Sequence, residues 1–179
     1  RTVIVENKPG VGGNIAAETM VRSKPDGHTI FLHSGNTVAS NMHLIRRPPF
    51  DAAKAIQVAA TINKQAFMLT VDAKRPWKSV PELTAYLKEK GDKATYAVSA
   101  NSGVVMGAIY KEVAGLKAVE VHYRMAQDAL NDMASGKVDY ALQDPIFALS
   151  QHREGRLRVL AVASAERLKS NPELPTMTE

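Results

Sequence analysis

Apolar runs of strand length alternate with amphipathic segments of helix length along most of this chain. We predict strands in five such runs, with a helix between each consecutive pair: residues 66–71, 95–99, 119–123, 138–142 and 157–163. Strands separated by helices of this length favour parallel pairing, because a parallel connection needs a crossover of about a dozen residues or more. The pattern therefore predicts an α/β fold built on a parallel sheet.

The first third of the chain is richer in turn residues, and its predicted elements are shorter. Strands are predicted at residues 2–5, 28–33 and 57–62. A helix is predicted over residues 14–23, and a second, short helix is predicted to end near Leu44. These elements extend the strand and helix alternation to the beginning of the chain.

Composition excludes several classes of function. The 179-residue chain contains no cysteine, which rules out disulfides, thiolate metal sites and cysteine nucleophiles. A net charge of +5 and an aromatic content of 6% are a weak basis for a nucleic-acid surface, since base stacking needs aromatic side chains. No apolar run approaches the ~20 residues needed to span a bilayer. We therefore predict neither a nucleic-acid partner nor a membrane-embedded protein.

Catalytic and metal-binding motifs are weak throughout the sequence. The five histidines lack the i, i+4 spacing of a zinc motif, and the glycine-rich segment 9–14 fits neither a P-loop nor a dinucleotide fingerprint. Asp128 and Asp132 would share a helix face that could hold a metal, although such a pair is more typical of a solvated face. Ser102 could act as a nucleophile, but its sequence neighbours supply no base. We predict no metal, no cofactor and no enzymatic activity.

Small polar residues follow three predicted strands at the point where a helix begins. They lie at residues 34–37 (SGNT), 99–103 (SANSG) and 143–144 (QD). Residues 100–103 are predicted to form a polar turn, and the helix after it is predicted to begin at Val104. Helix N-termini carry a partial positive charge and unpaired N–H donors, which suit a carboxylate or a phosphate. Helix capping uses the same residue types and is a sufficient explanation for any one junction. Three such junctions in one chain favour an anion-binding site beyond the carboxyl ends of the strands.

Short motifs occur in a fixed order along nearly the whole chain. They are residues 5–15 (VENKPGVGGNI), 25–29 (PDGHT), 34–37 (SGNT), 78–83 (KSVPEL), 121–124 (VHYR) and 155–167 (GRLRVLAVASAER). The ordered set resembles the Bug-type extracytoplasmic solute receptors, which are the substrate-binding proteins of tripartite tricarboxylate transporters. Each motif is weak by itself, and their order makes the resemblance specific.

The resemblance implies a type II periplasmic-binding-protein fold. In that fold, two α/β domains with parallel or mixed sheets are joined by crossover strands and close on a ligand. The resemblance assigns residues 1–62 to part of domain I, residues 63–163 to domain II and residues 164–179 to a segment that returns to domain I. Family chains are longer at both ends, so we expect this chain to be part of a longer protein.

The resemblance also implies a function and a set of ligand contacts. The ligand would be a small di-, tri- or aromatic carboxylate, captured in the periplasm for the membrane permease of a tripartite tricarboxylate transporter. Carried over residue by residue, the domain I contacts are Ser34, Gly35, Asn36, Thr37 and Asn41. The domain II contacts are Ser99, Asn101, Ser102, Gly103, Tyr123, Gln143 and Asp144.

This sequence departs from the family pattern at the predicted domain II contacts. The family's glycine-rich loop is shortened at residues 100–104, and Met125 replaces a glycine. Gln143 stands where the family has an aspartate that helps to select the distal group of the ligand, and Asp144 follows it. The identity of the ligand is therefore left open.

Two other function classes remain as alternatives. The same fold serves as the ligand-sensing effector domain of transcription regulators, which would place a helix-turn-helix upstream; the glycine-rich motif at residues 9–14 argues against this class. A small-substrate enzyme would use Ser102 or Asp144 as a catalytic group. A helix-turn-helix in the sequence upstream of this chain would support the first alternative. Turnover of a substrate in an activity assay would support the second.

Overall fold

The computed structural model describes residues 2–179, with the side chains of Asn36 and Thr37 outside the description. The chain divides between Ile62 and Asn63 into two compact units. The helices of the first unit's described residues are α1 (Asn14–Val21), α2 (Gly35–Ala39), α3 (Asn41–Leu44) and α4 (Ala52–Ala55). The prediction of a helix over residues 14–23 is confirmed, with its C-terminal end at Val21.

The predicted strands of the first unit are wrong for this structure. Residues 2–5, 28–33 and 57–62 pair with no strand among the described residues. Their large apolar side chains are also exposed, as Ile4 at 82% and Ile30 at 87% illustrate. A β-branched pattern supplies strand propensity, but a strand forms only where a neighbour takes up its backbone hydrogen bonds and a core covers one face.

The second unit is built on one five-stranded sheet. Its strands are β1 (Met68–Asp72), β2 (Thr95–Val98), β3 (Val119–His122), β4 (Tyr140–Gln143) and β5 (Leu157–Val162). They lie in the order β3-β2-β4-β1-β5. β2 pairs in parallel with β3 and β4, whereas β1 pairs antiparallel with β4 and β5. The sheet is therefore mixed rather than parallel throughout, because β1 is inserted in the opposite direction between β4 and β5.

Four helices connect and cover the strands of this sheet in the described part of the second unit. They are α5 (Val80–Lys90), α6 (Asn101–Ala114), α7 (Ala126–Ala134) and α8 (Pro145–Arg153). Ser79 and Glu82 have the sequence spacing that predicts a capping box at the start of α5. Glu82 N donates to Ser79 Oγ at 3.4 Å, and the Glu82 carboxylate accepts from Lys78 N at 2.7 Å, one residue before the N-cap. Both bonds satisfy backbone N–H groups at or just before the helix N-terminus.

The core of the second unit covers both faces of the sheet. On one face the ring of Tyr96 stacks on that of Tyr140, with centroids 5.4 Å apart, and Tyr110 meets Tyr140 edge-on at 5.5 Å. Trp77 is buried against Tyr86 on the same side of the core. The other face buries smaller side chains from α7 and α8, among them Leu130, Met133 and Ala148.

A buried carboxylate lies at the start of β4. Asp139 is 1% exposed, and it accepts hydrogen bonds from Lys90 Nζ at 2.6 Å and from the Thr95 backbone N–H at 2.8 Å. Tyr86 donates a third bond through its hydroxyl at 3.2 Å. A buried carboxylate stays ionised only where an opposite charge and hydrogen bonds compensate for the loss of water.

Residues 164–179 contact the second unit. The backbone N–H of Val162 donates to Pro175 O at 2.8 Å, and that of Met177 donates to Val162 O at 3.0 Å. The predicted membership of this segment in domain I stays a prediction. None of the helices described between residues 2 and 179 combines the length and the apolar character that crossing a bilayer requires.

Candidate functional site

The register of the three parallel strands brings predicted ligand contacts into one row. Val98 of β2 lies opposite His122 of β3, and Ala97 of β2 lies opposite Ala141 of β4. The residues that continue these strands are therefore Tyr123, Ser99 and Gln143, side by side at the carboxyl edge of the sheet. The backbone N–H of Tyr123 donates to Val98 O at 2.8 Å, which extends the β2–β3 pairing to the edge.

Helix α6 begins at this same edge. It starts at Asn101, so Asn101, Ser102 and Gly103 form its first turn. The prediction of a polar turn ending at Gly103 is wrong, because Ala100 O already accepts the backbone N–H of Gly103 at 2.9 Å. Ser102 is buried, and a Cβ at Gly103 would lie 3.5 Å from Leu142 O, so the first turn packs closely on the ends of β2 and β4.

The N-terminus of α6 carries no side-chain cap among the described residues. Its N-cap residue is Ala100, whose methyl group cannot accept a hydrogen bond from the first turn. Helices α5 and α8, by contrast, are capped by the side chains of Ser79 and Asp144. The α6 terminus therefore presents backbone N–H donors and the positive end of a 14-residue helix to the row of polar residues.

Tyr123 is held as a neutral hydroxyl. Its OH donates to Asp132 Oδ2 at 3.0 Å. Burial, followed by the hydrogen bond and charge of Asp132, raises the pKa of Tyr123 to about 12. The ammonium of Lys137 and the hydroxyl of Tyr123 hold the pKa of Asp132 below its usual value. Asp132 thus orients Tyr123, which is a different role from the metal ligand considered for the Asp128 and Asp132 pair.

Gln143 and Asp144 differ in how far their side chains are already engaged. Gln143 ends β4 and is 3% exposed. Asp144 is the N-cap of α8, and its Oδ1 accepts the backbone N–H of Ile146 at 2.9 Å. Capping therefore occupies one carboxylate oxygen of Asp144, whereas Gln143 adds a neutral amide to the edge.

The predicted domain I contacts belong to the first unit. Ser34 and Gly35 are exposed at the start of α2, while the side chains of Asn36 and Thr37 lie outside the described residues. Asn41 is 0% exposed at the start of α3. Its Nδ2 donates to Gly12 O at 3.0 Å and to Asn14 Oδ1 at 2.6 Å.

Asn14 is a structural partner of Asn41 and is not among the predicted ligand contacts. It is 4% exposed at the start of α1, and its own Nδ2 has no hydrogen-bond partner among the described residues. The sequence signal for this pairing is weak, because two asparagines 27 positions apart show no pattern until the fold joins them. The position of Asn14 after a glycine-rich turn and at a helix start is nevertheless visible in the sequence.

An apolar cavity of about 470 Å³ lies elsewhere in the second unit. It is lined by α5, α6 and the segments after β5, with Met106, Tyr110 and Met177 among its walls. None of the predicted ligand contacts lines it, and its walls are mainly apolar. Among the described residues, no group of three or more metal-ligating side chains comes together.

The family of the chain follows from comparison with known proteins. The model of the tripartite tricarboxylate transporter family receptor, TctC, matches residues 1–179. The chain belongs to this family. The resemblance in the sequence motifs is thereby confirmed, and the family is one of receptors, which agrees with the prediction of no enzymatic activity.

Individual relatives cover the whole chain at modest identity. A UPF0065 protein of Bordetella bronchiseptica is 30% identical over 183 residues, which is 100% of this chain and 53% of the relative. Protein BugT of Bordetella pertussis is 24% identical, with 99% of this chain and 55% of the relative covered. The chain spans about half the length of the curated relatives it matches.

Solved structures confirm the fold class. The R. palustris protein Rpa4515 with adipate superimposes with a TM-score of 0.89 at 26% identity, covering 98% of this chain and 59% of that one. The periplasmic binding protein BugD gives a TM-score of 0.74 at 26% identity with the same coverage. The TctC-family chain is thus an α/β protein of the type II periplasmic-binding-protein class.

Proposed function

We propose that the protein is a periplasmic solute receptor that binds a small carboxylate for a tripartite tricarboxylate transporter. The observation that carries the proposal is the uncapped N-terminus of α6 beside the row formed by Ser99, Tyr123 and Gln143. The membership of the chain in the TctC family supports the receptor role, the periplasmic location and the permease as partner.

Backbone donors are the main attraction for the ligand in this proposal. The first turn of α6 has no side-chain cap and carries the positive end of the helix dipole. The hydroxyl of Ser99 stands next to this turn as a donor, whereas the Tyr123 hydroxyl already gives its single proton to Asp132 and lines the site without donating to the ligand. A carboxylate oxygen accepts several such bonds at once without a lysine or an arginine in the first turn of α6.

The ligand class is proposed from chemistry and from one relative. Rpa4515, at 26% identity, is described with adipate, a six-carbon dicarboxylate. Gln143 brings no negative charge to the edge and can both donate and accept. A dicarboxylate whose first carboxylate meets α6 is therefore the first class to test, and the distal group then meets an amide rather than a carboxylate.

A substitution at the cap of α6 separates ligand binding from folding. Ala100 has φ −152° and ψ 156°, the extended geometry that suits an N-cap, so Ala100→Asp places a carboxylate at the first turn of α6. The variant is expected to gain about 1 kcal/mol of stability from capping. It is also expected to lose carboxylate affinity by roughly tenfold or more, because its own carboxylate occupies and repels the ligand site.

The measurement is calorimetric titration with adipate, malate, citrate and benzoate, together with thermal melts. Saturation at a hundredfold excess over the dissociation constant raises the melting temperature of the unsubstituted protein by roughly 5–10 °C. Asn131→Asp is the control, because it adds the same charge at the exposed C-terminal half of α7. Affinity retained in Ala100→Asp at the level of Asn131→Asp would refute the α6 site.

A further inference from the structure

The glycine-rich turn before α1 holds an unusual backbone conformation. Gly10, Val11, Gly12 and Gly13 all have positive φ, and the value at Val11 is 48°. Glycine adopts this region freely, but a β-branched residue such as valine does so only where its surroundings enforce it. Within the turn, Gly13 N donates to Gly10 O at 2.9 Å.

A side chain from α3 supplies that enforcement. The amide of Asn41 has two N–H bonds, and both are used: one donates to Gly12 O at 3.0 Å and the other to Asn14 Oδ1 at 2.6 Å. The Asn41 side chain is fully buried. It therefore joins the turn, the first residue of α1 and the first residue of α3 at one point.

The burial of Asn41 argues against direct contact with a ligand. A ligand oxygen needs a free, reachable N–H, and both N–H bonds of Asn41 already have protein acceptors. Asn14 acts only as an acceptor in this arrangement, because its Nδ2 is buried and has no partner among the described residues. The donor on Asn41 is thus the element that the arrangement requires, while the amide nitrogen of Asn14 is dispensable.

We propose that Asn41 is a positioning residue that locks the glycine-rich turn at residues 10–13 onto the segment from Ser34 to Asn41. Through that lock Asn41 fixes α2, whose residues are predicted ligand contacts. The consequence for ligand affinity rests on the proposed function, whereas the lock itself does not.

Asn41→Leu tests the lock, since it keeps the approximate size of the side chain and removes both donors. Hydrogen exchange is measured at Gly13 and Asn14 and across residues 35–44. We expect exchange there to accelerate about 10- to 100-fold, because buried acceptors are left unpaired. The amides of α4 and β1 serve as internal references and are expected to keep their rates. A uniform loss of protection across residues 2–62 would mean that Asn41 has only a general structural role, and would overturn the lock.

Asn14→Asp is the matched variant. It keeps the acceptor for Asn41, removes the unpartnered Nδ2 and places a negative charge at the start of α1, where the helix dipole favours it. Exchange at Gly13 is expected to stay within about threefold of the unsubstituted protein, a range of well under 1.4 kcal/mol. Should Asn41→Leu fail to fold, Asn14→Leu removes one acceptor only and is expected to accelerate exchange at residues 12–14 selectively.

Adipate affinity, measured on the same variants, separates the two proposals. We expect Asn41→Leu to weaken adipate binding about tenfold and Asn14→Asp to leave it within about threefold. An unchanged hydrogen-exchange rate at Gly13 in Asn41→Leu would overturn the lock. If that variant also bound adipate more weakly, Asn41 would contact the ligand directly. Accelerated exchange with unchanged affinity would overturn the role of the lock in binding. If the unsubstituted protein binds no carboxylate, the proposed function fails, and exchange across residues 35–44 still decides the lock.

Discussion

Replacing Gly107 by alanine tests how closely α6 packs on the sheet. Gly107 lies in the middle of α6, and a Cβ built there would fall 2.2 Å from Cε2 of Tyr96 and 2.9 Å from its Cδ2 and Cζ. Carbon atoms in contact normally stand about 3.5–4.0 Å apart, so ring and helix must separate by more than ~1 Å. The ring is poorly placed to move, because Tyr96 is 1% exposed, stacks on Tyr140 and donates its hydroxyl to Glu120 at 2.6 Å.

Two opposing effects set the magnitude for Gly107→Ala. Overpacking of a rigid core costs typically 1–3 kcal/mol, and a clash of this depth with a buried ring belongs in the upper half of that range, about 2–3 kcal/mol. The higher helix propensity of alanine stabilises a helix interior by about 1 kcal/mol relative to glycine. We therefore expect a net loss of about 1–2 kcal/mol in the free energy of unfolding.

Urea unfolding followed by tryptophan fluorescence measures this loss. Trp77 is the single tryptophan of the sequence and is 8% exposed in the second unit, so its signal reports the unit that contains Gly107. Tyr96→Leu removes the clashing ring, and in that background Gly107→Ala is expected to be neutral or stabilising. The coupling between the two sites is then about 2–3 kcal/mol. If Gly107→Ala instead stabilised the unsubstituted protein by about 1 kcal/mol, the close packing of α6 on Tyr96 would be refuted.

Three further outcomes follow from the second unit. Asp139→Ala leaves Lys90 and a backbone donor unpaired, so it is expected to cost about 3–5 kcal/mol in urea unfolding. Ser79→Ala removes the α5 cap and is expected to cost about 1 kcal/mol in the same assay, whereas Ser170→Ala, in an exposed turn, stays within ~0.5 kcal/mol. The folded state raises the pKa of Tyr123 from 10.0 to about 12. The protonated hydroxyl therefore contributes its full stabilisation below pH 10, and this contribution is lost as the pH rises towards 12. Absorbance titration against Tyr123→Phe measures that pKa, and Asp132→Asn is expected to lower it.

The α/β pattern of the second unit could be predicted from sequence because its signals are local. Ser79 and Glu82 stand at the spacing of a capping box, and Gly91 ends α5 with a φ of 61°. The sequence pattern predicts the start of α6 three residues too late, at Val104, because Ser102 and Gly103 are typical turn residues. What decides the boundary is the Ala100 carbonyl, which accepts the N–H of Gly103, and sequence alone does not show that bond.

Long-range polar partners are beyond single-sequence reasoning. Arg158 lies in the last predicted strand, and nothing in the sequence shows that it donates from Nη1 to the carbonyls of Arg75 and Trp77 and from Nη2 to that of Ala73. The partners lie more than 80 positions away. Asp139 interrupts an apolar run between Val138 and Tyr140, which is a usable sign of a buried, paired charge. The identity of its partners still requires the fold.

The row at the sheet edge shows why candidate contacts could be chosen before strand order was known. Ser99 and Gln143 belong to predicted strand-to-helix junctions, and the carboxyl ends of parallel strands lie at the same edge whatever the order of the strands. Tyr123 is predicted only by the family resemblance. Strand order adds the detail that β2 lies between β3 and β4, which puts Ser99 between the other two. The start of α6, which has no side-chain cap, follows two residues after Ser99. We therefore expect the affinity for a ligand bound chiefly by Ser99 and α6 to fall most in Ala100→Asp. Substitutions of Asp144 are expected to change that affinity least, because the Asp144 carboxylate already caps α8.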